Sequence, residues 1–195
     1  MAKLYFRYGA MSCGKSTAIL QVAYNYEDKG KKIILLKPSI DTKGNNKVMN
    51  RSGLSRKVDY LIKSNDNIKE LIKYDIDAIL VDEAQFLNEK QVRELYEISK
   101  LKDIPVLCYG LRTDFQMNAF PGAPTLLLLS DDIEELKTIC TCGKKATQNL
   151  RKVNNIPVFD GKQILIDGSE KNTTYESVCG KCYLELREKY YNERS

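Results

Sequence analysis

Eight residues near the start of the chain have the types and spacing of a phosphate-binding loop. The pattern G-x-x-x-x-G-K-[ST] is matched by Gly9-Ala10-Met11-Ser12-Cys13-Gly14-Lys15-Ser16. In such a loop the glycines let consecutive backbone N–H groups face one anion, the lysine reaches the β- and γ-phosphates of a nucleotide, and the hydroxyl ligates Mg²⁺. Lys15 and Ser16 are therefore the predicted phosphate and Mg²⁺ ligands. The alternative is a glycine-rich turn that matches by coincidence.

Two acidic residues follow an apolar run in the middle of the chain. Ile79-Leu80-Val81 leads directly into Asp82 and Glu83. This is the Walker-B arrangement, in which an acid at the carboxyl end of a strand faces the phosphate loop and holds Mg²⁺, directly or through water. Asp82 is the predicted second Mg²⁺ ligand, and Glu83 is a candidate general base for an attacking hydroxyl or water. The alternative is an acid that is only solvated at a strand end.

Four of the six cysteines form two close pairs, Cys140-x-Cys142 and Cys179-x-x-Cys182. Two pairs of thiolates suit a tetrahedral Zn²⁺ site. The sequence contains no histidine and offers no candidate for a fifth ligand, so we expect this site to be closed and structural, not catalytic. Four unrelated buried thiols are the alternative.

Alternating strands and helices are predicted to position these residues. Short apolar runs predict strands at 4–8, 31–37, 57–62, 76–81 and 104–109, and helical spacing predicts helices at 17–29, 65–73, 88–101 and 183–191. Polar residues 39–56 are predicted to form a long loop, residues 111–124 a loop rich in apolar contacts, and residues 126–129 are too few to assign. The alternation predicts a mainly parallel α/β sheet with right-handed crossovers.

Length and composition set the limits of this organisation. A chain of 195 residues accommodates one α/β core with a small appended module, predicted at residues 1–138 and 139–195. The net charge of +5 is spread along the chain, which is typical of a solvated surface and not of a nucleic-acid patch. No apolar run approaches the ~20 residues needed to span a bilayer, and no signal peptide is expected. We therefore expect a cytosolic protein, in which disulfides are rare.

With these features placed, the chain resembles the thymidine kinases of the second type, small cellular and bacterial enzymes with a P-loop, RecA-like core and a zinc-binding lasso domain. The resemblance covers nearly the whole chain. Its most specific stretches are residues 9–16, Asp82-Glu83-Ala84-Gln85-Phe86, Gly110-Leu111-Arg112-Thr113-Asp114-Phe115 and Tyr175-x-Ser177-Val178-Cys179. The last two have no general physical interpretation, so their match separates this family from other P-loop proteins.

The resemblance implies that the γ-phosphoryl group of ATP is transferred to the 5′-hydroxyl of thymidine, as in nucleoside salvage for DNA synthesis. Glu83 would be the base, and the phosphates would be bound by residues 9–16 together with Asp82 and Gln85. The resemblance further implies a structural Zn²⁺, Mg²⁺ with ATP, a homotetramer and inhibition by thymidine triphosphate.

A thymidine pocket is also implied, at Met11, Phe86, Leu111, Phe115, Phe120 and Tyr175. An aromatic wall suits a pyrimidine ring, with backbone groups of the lasso bonded to its polar edge. Ordinary core packing is the alternative for each aromatic residue. Without the resemblance it would be the preferred interpretation of Phe86 and Phe120.

Two stretches depart from the family pattern. Asp41-Thr42-Lys43 stands where the family usually has Asp-x-Arg. Lysine keeps the charge but loses the bidentate fork of arginine, so Lys43, beside Asp41, and Arg51 are both candidates to neutralise the transferring phosphate. Ile166-Asp167-Gly168 stands where the family has Ile-Gly-Gly, with extra residues before Tyr175. The lasso residues that contact the base therefore remain unassigned.

Two other classes of function are compatible with parts of this pattern. Asp82-Glu83-Ala84-Gln85 resembles a helicase DExx box, and zinc modules often bind nucleic acid, which suggests a nucleic-acid-stimulated ATPase. The chain is too short for a two-lobed motor and has no concentrated basic stripe, so neither a nucleic acid nor a membrane is an expected partner. A non-catalytic, zinc-organised interaction module is the third interpretation.

Overall fold

The computed structural model describes residues 1–72, 75–164 and 172–194. Its elements in chain order are β1 (Leu4–Tyr8), α1 (Lys15–Asp28), β2 (Ile33–Pro38), β3 (Lys47–Met49), β4 (Ser55–Lys57), β5 (Tyr60–Ile62), α2 (Ile68–Leu71), β6 (Ala78–Val81), a 3-10 turn (Ala84–Phe86), α3 (Glu89–Leu101), β7 (Val106–Gly110), α4 (Ala123–Leu129), β8 (Asp132–Glu135), β9 (Thr138–Ile139), β10 (Lys145–Ala146), β11 (Gln148–Val153), β12 (Ile156–Val158), β13 (Thr173–Val178) and α5 (Gly180–Asn192).

A six-stranded sheet in the order β5-β2-β6-β7-β1-β8 forms the centre of the molecule. Every strand pair in it is parallel. The central strands β2, β6 and β7 are buried along their whole length, as expected for a parallel sheet covered on both faces. The predicted α/β class is therefore confirmed. Because β1 and β6 flank β7, the loop after β1 and the acids after β6 come to the same carboxyl edge of the sheet.

Helices cover both faces of this sheet. On one face, α3 packs Val92, Leu95 and Ile98 against the strands, and on the other α1 packs Ile19 and Leu20. The start of α3 is fixed by a capping box, in which the side chains of Asn88 and Gln91 each accept a hydrogen bond from the other's backbone N–H. None of the helices in the described part of the chain combines the length and apolar character needed to cross a membrane.

Within residues 1–137, the predicted strands and helices agree with the structure to within a few residues, with three exceptions. Residues 39–56 do not form one long loop, since β3 and β4 pair there as an antiparallel hairpin. Val48, its one buried apolar residue, packs toward α1, and a single buried residue leaves no periodicity in the sequence. The unassigned residues 126–129 belong to α4. The edge strand β8, Asp-Ile-Glu-Glu, was not predicted because its exposed acidic residues suit a sheet edge and not a core.

The described residues from Thr138 onward form a second, smaller structure. Strands β12, β11 and β13 make an antiparallel sheet, β9 and β10 pair beside it, and α5 packs against it. Its small core includes Leu150, Phe159, Val178 and Tyr183. The predicted division of the chain near residue 138 remains a prediction, and Ile166-Asp167-Gly168 lies outside the described residues.

Candidate active site

The phosphate loop connects β1 to α1, as its sequence predicts. Gly14, at φ +92°, caps the N-terminus of α1, so the first backbone N–H groups of the helix face the loop. Only glycine fits at position 9, because a Cβ atom there would clash with the backbone oxygen of Leu136 at 2.4 Å. Lys15 is buried, and its Nζ donates a hydrogen bond to the carbonyl oxygen of Ala10 at 3.1 Å. The loop therefore has the backbone shape of an anion site.

A first cleft, which we call the loop cleft, opens over this loop. Its volume is about 1170 Å³, part of which is open solvent. Three cationic residues, Lys15, Lys43 and Arg51, line it together with Ser16 and Glu83. The β3–β4 connection brings Arg51 here, where its Nη2 donates to the Ser12 hydroxyl oxygen at 2.6 Å. This concentration of positive charge suits a polyphosphate.

Asp82 is a buried carboxylate at the carboxyl end of β6. Its Oδ1 atom has no hydrogen-bond partner among the described residues. Burial and the nearby charge of Glu83 raise the pKa of Asp82 to about 7, against the opposing effect of Lys37. A buried carboxylate oxygen without a donor fits a cation ligand. Asp82 therefore fits the Mg²⁺ site predicted for it and Ser16.

The raised pKa of Asp82 has a consequence for the stability of the ligand-free protein. Because the folded state binds this proton more tightly than the unfolded chain does, the contribution of Asp82 to the free energy of unfolding is lost as pH rises from 3.8 through about 7. We expect Asp82→Asn to gain stability relative to the parent protein across this interval. Denaturant unfolding at a series of pH values in Mg²⁺-free buffer measures the difference, and parallel profiles for the two proteins would contradict it.

Glu83 starts the 3-10 turn in a left-handed conformation, with φ of 50°. Its Oε2 accepts a hydrogen bond from Gln85 Nε2 at 2.6 Å, and Gln85 Oε1 accepts one from the backbone N–H of Leu111 at 3.0 Å. Gly110 makes room for this arrangement, since a Cβ atom there would lie 2.6 Å from Gln85 Oε1. The Glu83 carboxylate is thus fixed in direction by a buried amide. A non-glycine residue with positive φ is a feature found at functional sites.

A second cleft, the aromatic cleft, lies beside the first. Its volume is about 610 Å³, part of which is open solvent. Within it the Phe86 and Phe120 rings meet edge to face, 5.3 Å between centroids. All six residues predicted for a thymidine pocket line it: Met11, Phe86, Leu111, Phe115, Phe120 and Tyr175. Gln85, predicted to contact phosphate, lines this cleft and is absent from the residues described around the loop cleft. Asp114, from the family stretch 110–115, also lines this cleft, as do three residues that the sequence did not single out, Asn149, Gln163 and Ile164.

The two clefts meet at a shared wall. Glu83, Lys43 and Tyr175 line both of them, as do Met11 and Leu111. Asp41 lines the aromatic cleft and forms an ion pair with Lys37, Nζ to Oδ2 at 2.8 Å. The same buried Nζ donates to the carbonyl oxygen of Lys43. Sequence patterns identify Lys37 only as the end of a strand, yet it fixes the segment that carries Asp41 and Lys43.

Arg151 is a second residue that sequence patterns do not identify. It is 1% exposed, and its guanidinium carbon lies 3.5 Å from the centroid of the Phe115 ring. Its Nε donates to the Tyr175 hydroxyl oxygen at 2.9 Å. Arg151 therefore ties two walls of the aromatic cleft to β11 by a cation–π contact and a hydrogen bond.

Strands of the second structure also bind the phosphate loop directly. Asn149 of β11 accepts a hydrogen bond from the backbone N–H of Met11 at 2.8 Å, and the hydroxyl of Ser177 in β13 donates to the Met11 carbonyl oxygen. The Asn149 amide also donates to the carbonyl oxygen of Thr113 at 2.9 Å. Both backbone groups of Met11 thus depend on the sheet that the cysteines border.

The four predicted zinc ligands come together at one point. The Sγ atoms of Cys140, Cys142, Cys179 and Cys182 all lie within 4.8 Å of one another. Tetrahedral Zn²⁺ with bonds of about 2.3 Å requires a separation of roughly 3.8 Å between sulfurs. Backbone N–H groups of Cys142 and Cys179 lower the pKa of the Cys140 thiol to about 6, which favours the thiolate. This cluster could bind a metal such as zinc.

Comparison with known proteins identifies a family. A family model described as thymidine kinase matches residues 2–183. A thymidine kinase from Rhodopirellula baltica is 46% identical over 187 residues, 92% of this chain and 86% of the relative. One from Francisella tularensis subsp. tularensis is 44% identical over 194 residues, 95% of this chain and 98% of the relative. One from Legionella pneumophila is 46% identical over 189 residues, 92% of this chain and 88% of the relative.

Among solved structures, a crystal structure of the Pif1 helicase from Candida albicans aligns with 71% of this chain and 36% of its own, at 15% identity and a TM-score of 0.45. No functional conclusion follows from a similarity this low. The family model and the relatives extend over nearly the whole chain, through the phosphate loop, the Glu83 turn and the cysteine-bordered sheet alike. The chain belongs to the thymidine kinase family.

Proposed function

We propose that this protein transfers the γ-phosphoryl group of ATP to the 5′-hydroxyl of thymidine, giving dTMP for nucleoside salvage. The observation that carries this proposal is the shared wall of the two clefts. Glu83 lines both the cationic loop cleft and the aromatic cleft. One carboxylate therefore lies where a phosphate donor and a nucleoside would meet, which is the position that phosphoryl transfer requires of a base.

The loop cleft is the proposed site of ATP. Backbone N–H groups of residues 9–16 bind the phosphates, with Lys15 at the β- and γ-phosphates. Ser16 and Asp82 would hold Mg²⁺, which neutralises phosphate charge when bound. Lys43 and Arg51 line the same cleft and are the proposed replacements for the family arginine. Catalysis of this kind consists mainly of positioning and charge stabilisation.

The aromatic cleft is the proposed site of thymidine. Its rings, Phe86, Phe115, Phe120 and Tyr175, suit the faces and edges of a pyrimidine. Glu83 accepts the proton of the 5′-hydroxyl while that oxygen forms its bond to the γ-phosphorus and the bond to ADP breaks. The hydrogen bond from Gln85 directs the Glu83 carboxylate for this transfer.

Several further properties belong to the same proposal. The four clustered cysteines are proposed to hold one structural Zn²⁺, because their chemistry and closeness suit that ion. The homotetramer, inhibition by thymidine triphosphate and a cytosolic location are proposed from the resemblance of the chain to this family.

Formation of ADP in a coupled assay, measured against a panel of nucleosides, tests the proposed function. We expect ADP to form with thymidine, and DNA to leave the rate unchanged. Hydrolysis that DNA stimulates and that nucleosides do not affect would instead identify a nucleic-acid-stimulated ATPase. Bound nucleotide without turnover of any nucleoside in the panel would identify a zinc-organised interaction module.

A further inference from the structure

Lys37 is a charged residue whose side chain is buried near the end of β2. Only 1% of that side chain is exposed, and a charge withdrawn from water is costly unless it is paired and hydrogen-bonded. The ammonium group has three N–H donors. Its three acceptors are Asp41 Oδ2 at 2.8 Å, the carbonyl oxygen of Lys43 and that of Asn45 at 3.5 Å. The whole bonding capacity of this ammonium is therefore used on the segment that follows its own strand.

That segment, residues 39–47, has no buried side chain of its own. Its one large apolar residue, Ile40, is 49% exposed. Gly44 and Asn45 have positive φ angles of 71° and 52°, and this turn brings the two bonded carbonyl oxygens to the same ammonium group. Because no apolar side chain packs the segment into the core, the buried ammonium of Lys37 gives it a fixed point.

The segment carries Lys43 to the shared wall of the two clefts. Lys43 lines both of them, as Glu83 does. The other two cations of the loop cleft, Lys15 and Arg51, are not among the residues described around the aromatic cleft, and Arg51 Nη2 donates to the Ser12 hydroxyl oxygen. Lys43 is thus the cation that lies where a phosphate donor and a nucleoside would meet.

We propose that Lys37 is a positioning residue for phosphoryl transfer: its buried ammonium fixes the backbone on both sides of Gly44 and so holds Lys43 against the transferring phosphoryl group. This inference rests on the proposed function. Charge stabilisation of the transferring group is effective when the cation is in place before the reaction. Lysine carries its charge on a flexible stem and lacks the planar fork of arginine, so the position of the Lys43 charge depends strongly on a fixed backbone.

A double-mutant cycle in the full-length protein tests this assignment. Its members are the parent, Lys37→Met, Lys43→Ala and the double variant, and kcat is measured at saturating ATP and thymidine. We expect each single substitution to lower kcat about 10²-fold, the effect of removing one preorganised charge-stabilising group. The double variant should lose no more than Lys43→Ala alone, because Lys37 acts through Lys43 and the two effects are then not additive. A lysine that only stabilised the fold would lower kcat by the same factor in both backgrounds.

The Lys37→Met variant leaves the half-buried Asp41 carboxylate without its ion-pair partner, which is destabilising. Thermal unfolding of each variant is therefore recorded beside its kcat. Lys37→Gln supplies the same cycle if the methionine variant folds poorly. Its amide can still donate to Asp41, but it is one bond shorter than the lysine side chain and has two hydrogens in place of three.

Lys100→Met is the matched control. Lys100 also combines an ion pair, to Asp131, with a hydrogen bond to a carbonyl oxygen, that of Ala2 at 3.1 Å, and it is not among the residues described around either cleft. It should keep the parental kcat. An equal loss from Lys37→Met with and without Lys43, or a parental kcat in Lys43→Ala, would overturn the assignment and leave the proposed function standing. A parent protein that does not phosphorylate thymidine would overturn the proposed function itself.

Discussion

Replacing Glu83 by glutamine is expected to abolish phosphorylation of thymidine while leaving the binding of ATP nearly intact. An amide cannot take the proton of the 5′-hydroxyl, and loss of a general base costs about 10²- to 10⁴-fold in rate. The substitution is gentle in structure, because a glutamine oxygen can still accept the hydrogen bond that Gln85 Nε2 donates at 2.6 Å. The left-handed backbone conformation of residue 83 places the same constraint on glutamine as on glutamate.

Initial rates with thymidine and calorimetric titration with ATP separate the two effects. Glu89→Gln is the matched control, because Glu89 is an exposed carboxylate on α3 that pairs with Arg93 at 2.8 Å, away from both clefts. It should retain the parental rate and affinity. Unchanged turnover in Glu83→Gln would remove Glu83 as the base, and a matching loss of ATP affinity would show that the substitution acts on the donor site.

The fold was predictable where strands are long and buried. The residues Ile33–Leu36 and the residues before Asp82 are apolar on both faces, and such runs indicate a parallel sheet without further information. Strands β3 and β4 have three residues each, too few to show a period of two. Charged β8 pairs through its backbone with β1, and side-chain patterns do not report backbone pairing at an edge.

The candidate site divides in a similar way. Lys15 belongs to one short motif, and Asp82 and Glu83 belong to another. Such residues are recognisable because the rest of each motif lies close in sequence. Asn149 contacts Met11 across 138 positions, and Arg151 lies in a polar strand where an arginine normally indicates solvent. Only the folded arrangement brings their partners together. Ser177 falls within the stretch that carries the family resemblance, and its hydrogen bond to Met11 supplies a physical role for that position.

The contacts of Met11 connect the metal cluster with both clefts. Cys179 directly follows β13, and its Sγ accepts the backbone N–H of Cys182 at 3.5 Å at the start of α5. The same strand carries Tyr175, which lines both clefts, and Ser177, which bonds the phosphate loop. A single strand thus connects the cysteines to the shared wall of the two clefts and to the loop.

Removal of the metal is therefore expected to weaken the binding of thymidine more than that of ATP. It should also destabilise the cysteine-bordered structure before the six-stranded sheet. We predict one Zn²⁺ per chain, and Cys179→Ser should lose it. Structural Zn²⁺ sites contribute about 10–16 kcal/mol of apparent binding free energy in small peptides. The free energy of unfolding of a typical domain is only about 5–15 kcal/mol, so loss of the metal is expected to unfold the structure around it. The described residues between 139 and 183 should then lose protection from hydrogen exchange while β2 and β6 keep theirs, and KM should rise more for thymidine than for ATP.

Metal analysis of freshly reduced protein, hydrogen exchange and steady-state kinetics measure these three effects. Cys108→Ala is the control: burial raises the pKa of the Cys108 thiol, which keeps it protonated and unsuited to bind metal. That variant should retain one Zn²⁺ and the parental KM for thymidine. Protein without metal would contradict the zinc site. Equal loss of protection in β11 and β6 after chelation would contradict the predicted order, because it would show that the two structures unfold together.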